Sequence, residues 1–190
     1  TSPTALLTAP RAVTATASTA ARMVMQAGYL DNSSVTSTGG FLGVTDTDGL
    51  VIGYDDFTTP LSPVNSPITI PNGGTAAFNI GSAASGGTAK IGLVDVGGTG
   101  TIVVTSYGDM TGAVSDANAD IKAQSATLLT SAGKIRLDTD LDVLSATAQQ
   151  KNQSITINDV GGTSTALQLR SVGSGSGSIG VDVPPTSLMV

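Results

Sequence analysis

Three aspartates alternate with Leu and Thr in the phrase Leu137-Asp138-Thr139-Asp140-Leu141-Asp142. On an extended strand, alternate side chains project from the same face, so Asp138, Asp140 and Asp142 would line up as a row of carboxylates. Such a row has two chemical uses. Two carboxylates are the minimum for glycoside hydrolysis, one acting as acid and the other as base or nucleophile. Grouped carboxylate oxygens also suit Ca2+, and repulsion among them favours a bound cation. The same residues read equally as a solvated outer face at a turn. A second acidic group contains Asp46, Asp48, Asp55 and Asp56. Asp46-Thr47-Asp48-Gly49 matches the opening of a calcium loop, but the remaining EF-hand spacing and its bidentate Glu do not follow. A turn whose Asp side chains hold backbone N–H groups explains that stretch as well. Ca2+ at Asp138, Asp140 and Asp142, or at Asp46 and Asp48, is therefore the only cofactor the sequence leaves open.

Composition removes most other chemistry. The 190 residues contain no Cys and no His. That excludes disulfides, thiolate metal sites, cysteine nucleophiles and the Ser-His-Asp triad. The net charge is −6 with only 8 Lys plus Arg, so there is no basic footprint for nucleic acid. No apolar run approaches the ~20 residues of a membrane span. Gly-Gly-Thr-Gly-Thr at 97–101 and the Gly-Ser run at 173–178 lack the Lys-Ser/Thr ending and the strand–loop–helix setting of a phosphate loop, and read as turns. The chain opens on Thr1, which is expected for a mature or excised segment from which any export signal has been removed.

The elements that must hold these residues are short strands. Charged residues are 12% and aromatics 3%, while Gly alone supplies 24 positions. Such small and β-branched material fits thin, repetitive β structure with tight turns. From residue 67 onward, short alternating segments recur between Gly pairs and Ser/Asn/Asp clusters: PITIP, AAFNI, KIGLVDV, TIVVTS, ADIKAQ, ATLLT, KIRLD, LDVLSA, SITIND, ALQLRSV and SIGVDV. Two interleaved series emerge. One runs through Ile80, Ile102, the Ile121–Ala123 segment, Leu144 and Leu167. The other runs through Ile70, Ile91, Met110–Ala113, Ile135, Ile155 and Ile179. A shared period of about 22 residues predicts an all-β parallel β-helix in which like side chains stack from rung to rung. An antiparallel β-sandwich or jelly roll is the alternative. Before residue 67 the strands SSVTS, FLGVT and LVIGY are expected, preceded by a strand and a short helix ending near Gly28. Prolines at 60, 63 and 67 mark the best internal boundary. The expected organisation is an N-terminal capping or assembly segment at 1–66, a β-solenoid at 67–183 and a tail at 184–190.

The stretch 114–183 also resembles the repeat regions of large bacterial surface proteins of the filamentous-haemagglutinin type. The resemblance lies in the order ADIKAQSATLLTSAGKI, LDTDLDVLSA, SITIND, a small-residue turn and ALQLRSV. It implies a right-handed parallel β-helix, an extracellular or cell-surface location, and a role in adhesion or as a stalk. It supplies no catalytic residues. The expected function is accordingly a non-enzymatic structural subunit of an extracellular filament or adhesin stalk. A surface module recognising host or neighbouring-cell glycans, or another surface protein, is the second reading, and a β-helix polysaccharide hydrolase or lyase the third. The expected partner is the chain itself, assembling head to tail into a homopolymer. The apolar residues Leu6, Leu7, Leu188, Met189 and Val190 are the candidate assembly contacts, because they would be poorly placed in water.

Overall fold

The structure is a computed structural model describing residues 4–8, 14–17, 22–27, 34–37, 41–46, 49–52, 68–69, 73–84, 86–113, 118–161, 165–171, 179–182 and 188–189. Side chains are described within 42–44, 49–50, 52, 68, 73–84, 86–113 and 118–161. The described elements are all strands. The first six are β1 (Thr4–Thr8), β2 (Thr14–Ala17), β3 (Arg22–Ala27), β4 (Ser34–Ser37), β5 (Phe41–Asp46) and β6 (Gly49–Ile52). Then come β7 (Ile68–Thr69), β8 (Thr75–Ile80), β9 (Thr88–Ile91), β10 (Val94–Asp95), β11 (Thr101–Ser106) and β12 (Met110–Gly112). The last are β13 (Ile121–Thr130), β14 (Ile135–Ala148), β15 (Ile155–Asp159), β16 (Thr165–Ser171), β17 (Ile179–Asp182) and β18 (Leu188–Met189). Among the described residues, no helix is long and apolar enough to cross a membrane.

Every described pairing is parallel, which overturns the antiparallel sandwich alternative. The pairings form three columns. The first runs β1, β3, β5, β8, β11, the second half of β13, the end of β14, β16 and β18. The second runs β6, β9, β12, the start of β14, β15 and β17. The third runs β2, β4, β7, β10, the start of β13 and the middle of β14. From β8 to β14 the chain visits the first, second and third columns in that order and then returns to the first. Cross-strand hydrogen bonds between side chains, or between a side chain and the backbone, accordingly join residues 18, 20, 24 and 25 positions apart.

Alternation of burial explains why these residues make strands. In β11 the pattern puts Ile102, Val104 and Ser106 inside and leaves Thr101, Val103 and Thr105 half-buried outside. Two inward rows of the first column complement each other in size. One stacks Ala76, Ile102, Ala126 and Leu144, and the other stacks Phe78, Val104, Leu128 and Ala146. Where one row is small the other tends to be large, so the two rows together change little in volume from strand to strand.

The chain changes column at corners whose chemistry is local. Between β10 and β11, Asp95 Oδ1 accepts the N–H of Gly97 at 2.9 Å, and the N–H of Gly100 donates to Gly97 O at 3.0 Å. Gly100 lies against the Val96 backbone, where a Cβ would have no room. One rung later the same corner needs no loop. Gln124 and Ser125 both face outward, and both of their N–H groups donate to Gly100 O. In the next rung Asp142 and Val143 are two successive exposed residues in the middle of β14. Each pair is a one-residue slip in alternation that turns the strand while keeping the apolar side inward. At the opposite corner, buried hydroxyls close the turns. Ser106 Oγ donates to Gly108 O at 2.8 Å, and Thr130 Oγ1 donates to Gly133 O at 2.6 Å.

Two expectations need correction. Residues 22–27, expected in a short helix ending near Gly28, are extended: Arg22–Ala27 is β3, held in register between β1 and β5. Its Arg, Met, Gln and Ala residues favour a helix weakly, and strand partners on both sides outweigh that preference. The first stacking series is also mixed. Ile80 is in register with Ser106 rather than Ile102, and Ile121 belongs to the third column, between Val94 and Thr139. The boundary expected at 66/67 lies at the edge of residues outside the description, as does Ile70. On either side of it, β4, β5 and β6 pair with β7, β8 and β9.

Candidate functional site

The acidic row on β14 has the parity its sequence suggests. Leu137, Thr139 and Leu141 are buried, Asp138 and Asp140 are half-buried, and Asp142 is exposed. The three carboxylates do not share one environment, because β14 turns from the second column to the third and then to the first beneath them. Asp138 Oδ1 accepts a hydrogen bond from Asn158 Nδ2 at 3.0 Å on the neighbouring strand. Asp140 is in register with Lys122, which is itself in register with Asp95. The outer side of the third column thus alternates acid, base and acid, an arrangement that favours cross-strand pairing by roughly 0.2–1 kcal/mol per pair. Asp142 stands at the next corner, exposed. Among the described residues, no group of three or more acidic side chains is arranged to hold a metal ion. Chelation with EDTA is expected to leave the melting temperature unchanged. A fall of several degrees in a thermal melt would restore Asp138, Asp140 and Asp142 as ligands.

Two other carboxylates, not singled out from sequence, are the more deeply placed. Asp120 is 4% exposed and Asp159 is 3% exposed. Asp120 sits at the corner leading into β13. Its Oδ2 accepts the backbone N–H of Asp138 at 2.8 Å, and its own N–H donates to Asp138 O at 2.7 Å. Gly112 leaves space for that carboxylate, since a Cβ there would come within 2.8 Å of Oδ2. Asp120 therefore serves as a strut joining the turn before β13 to β14. Asp159 is in register with Thr139, and Thr139 with Ile121, in a row that continues below through Val94 and Ile68. This inward row changes from Ile and Val to Thr and Asp along the stack, and the Thr139 Oγ1 is buried without a hydrogen-bond partner. A signal for Asp159 existed in the alternation of Ile155, Ile157 and Asp159. Asp120 precedes a strand and had none. Asp120→Ala is expected to strand the Asp138 N–H and cost about 1–2 kcal/mol in urea unfolding. Asp120→Asn keeps an acceptor oxygen and should recover most of that loss.

The remaining candidates divide between described and undescribed residues. Asp46 ends β5, in register with Ala27 and Ile80, and nothing of its side chain is described. Asp48 lies outside the described residues. Leu6 and Leu7 belong to β1, in register with Val24 and Met25 of β3. Leu188 and Met189 form β18, in register with Thr165 and Ala166 of β16. Val190 lies outside the described residues. The two sets of assembly candidates are therefore on the first and last strands of the first column. They are not brought together with the acidic row. The Gly97–Thr101 stretch is a turn running into β11, as its composition suggests. No protein-family model, curated protein or solved structure matches this chain.

Proposed function

We propose that this chain is a non-enzymatic structural protein of the cell exterior, a right-handed parallel β-helix with rungs of about 22 residues. It acts as a subunit or segment of an extracellular filament or adhesin stalk, and copies add head to tail. The observation supporting this reading is the axial ladder of the first column. It is parallel from β1 to β18, and among the described residues β1 pairs only with β3 within that column and β18 only with β16. A strand paired along one edge has N–H and C=O groups on the other, and these can accept another strand of the same kind. Repetition of that contact does not close, so it extends an axis. The resemblance of 114–183 to haemagglutinin-type repeats points the same way.

Electron microscopy and sedimentation of the full chain test the proposal. Particles many times longer than one stack are expected, and deleting residues 184–190, which removes β18, should shorten them while the β signal in circular dichroism persists. Particles never longer than a single stack, at any concentration, would overturn head-to-tail assembly.

A further inference from the structure

We infer that the corner following β15 is a one-residue register switch, in which ionisation of Asp159 exchanges its inward place with Val160. Five residues recur in the chain, as Asp95-Val96-Gly97-Gly98-Thr99 and as Asp159-Val160-Gly161-Gly162-Thr163. Both copies stand where the chain passes from the third column towards the first. They are set in opposite phase. In the first copy Asp95 is outward and half-buried, and Val96 has no solvent exposure. In the second, Asp159 is inward at 3% exposure and Val160 is outward at 37%. An acid is thus buried and a valine left in water, the reverse of the partition each side chain favours. The inward setting gains nothing from the hydroxyl that Asp159 stacks on, because the Thr139 Oγ1 makes no hydrogen bond.

The difference in phase arises just ahead of each copy. Before the first, Ile91 and Val94 are buried, and Gly92 and Leu93 between them are both half-buried, so the chain enters the third column through a slipped pair. Before the second, alternation runs unbroken through Ile155, Ile157 and Asp159. The spacing of the slipped form is nevertheless present there: Ile157, Asn158, Asp159 and Val160 follow one another as Ile91, Gly92, Leu93 and Val94 do. With Asn158 and Asp159 both outward, as a bulge of the kind seen at Gln124-Ser125, Val160 would take the inward place after Thr139. The connection to β16 has the length for this. The same corner is crossed directly from Thr139 to Leu144 and by a longer turn from Val94 to Ile102, and the span from Val160 to Leu167 lies between the two. Charge decides which setting is occupied. Burial opposes the ionised carboxylate, so a neutral Asp159 stays inward and an ionised one is driven out. On the strands packed against this corner, Arg136, Asp138 and Asp140 of β14 and Lys122 of β13 all face outward. Asp120 is engaged with the Asp138 N–H, and Asp182 of β17 is in register with Asn158. The outer acids oppose an outward charge and the two cations favour it. Both act through solvent, so they weigh less than the removal of a carboxylate from water.

The chain has no cysteine, so a single introduced thiol reports the setting. Val160→Cys places one at the exchanging position, and Thr156→Cys, exposed on β15, is the reference. Each full-length variant is reacted with a pyridyl disulfide from about pH 4 to about pH 8, a range that brackets ionisation of a buried aspartate. The ratio of the two rates cancels the titration of the thiol itself. That ratio is expected to fall at least about tenfold as the pH rises, because the thiol at 160 turns inward. Combining Val160→Cys with Asp159→Asn should hold the ratio at its acid value throughout, since a neutral side chain stays inside. A ratio that does not change with pH overturns the inference. A fall that persists with Asp159→Asn assigns the change to another group and overturns it too. Circular dichroism should match the wild type at every pH, and a loss of β signal in step with the ratio would mean unfolding in place of a slip. The result does not depend on head-to-tail assembly, because the switch lies within one chain.

Discussion

Leu144→Asp is expected to leave the chain unfolded or nearly so. Leu144 has no solvent exposure, and it stands in an inward row between Ala126 and Leu167 with Ala146 two positions on. An aspartate there would hold a carboxylate in an apolar row, and Lys90, Lys122 and Arg136, the basic strand residues whose side chains are described, all lie on outer faces. An unpaired buried charge costs about 3–5 kcal/mol. That is comparable with the whole stability of many domains, about 5–15 kcal/mol. Two companions separate charge from volume. Leu144→Ala leaves only a cavity, about 2–5 kcal/mol, in a row that already has Ala on one side. Leu144→Ile conserves volume and should cost less than about 1.5 kcal/mol. Urea midpoints in the order Ile, Ala, Asp support an inward Leu144. A Leu144→Asp protein with the wild-type midpoint would place that residue in water and break the column assignment.

Gly133→Val is expected to be the most damaging single change at a turn. The Cβ would fall onto the backbone of Gly108 and Asp109 in the preceding rung. Neither side can yield cheaply. The N–H groups of Ser131 and Ala132 donate to Ser106 O and Tyr107 O at 3.0 and 2.7 Å, and Thr130 Oγ1 donates to the Gly133 carbonyl. Separating the turns by the width of a methyl group would break the Ser131 and Ala132 bonds together, while the Thr130 bond, internal to the turn, resists its rearrangement. The cost should reach about 3 kcal/mol, the upper part of the range for overpacking. The neighbouring Lys134 forms an ion pair with Asp109 at 3.9 Å, with both side chains nearly half exposed. Lys134→Ala should therefore change stability by less than about 1 kcal/mol. Equal effects from the two substitutions in thermal or urea melts would show that the turns are not in contact.

What could be read in the sequence was parity and, in part, stacking. Alternation placed Asp138, Asp140 and Asp142 on the outside and Ile135, Leu137 and Leu141 on the inside. It also paired Ile102, Leu144 and Leu167 in one row, and Met110, Ile135, Ile155 and Ile179 in another. Counting by a fixed period failed at Ile80 and Ile121, because spacing cannot distinguish a strand from the corner that follows it. Residues 81–84 and 86–87 lie outside any strand, whereas Gln124-Ser125 turns a strand without leaving it. The depth of Asp120 was hidden for a related reason. Its burial follows from the hole left at Gly112 and from the backbone of Asp138, and neither is adjacent to it in the chain. β3 was misread because its residues have helical propensity and only the strands on either side make it extended.

The slipped pairs at Gln124-Ser125 and Asp142-Val143 bear on how such a chain tolerates changes in length. Loops and slips alike return the next strand to the same register, so the corners act as places where the reading of inside and outside is reset. Adding or losing a residue there would alter a bend and leave both flanking strands in frame. The same single-residue change between Ile135 and Leu141 would exchange faces for every side chain up to the next corner, sending the aspartates inward and the leucines out. Inherited insertions and deletions should therefore collect at the corners, and a peptide grafted for display should be accepted between Gly81 and Gly87 and rejected between Ile135 and Leu141.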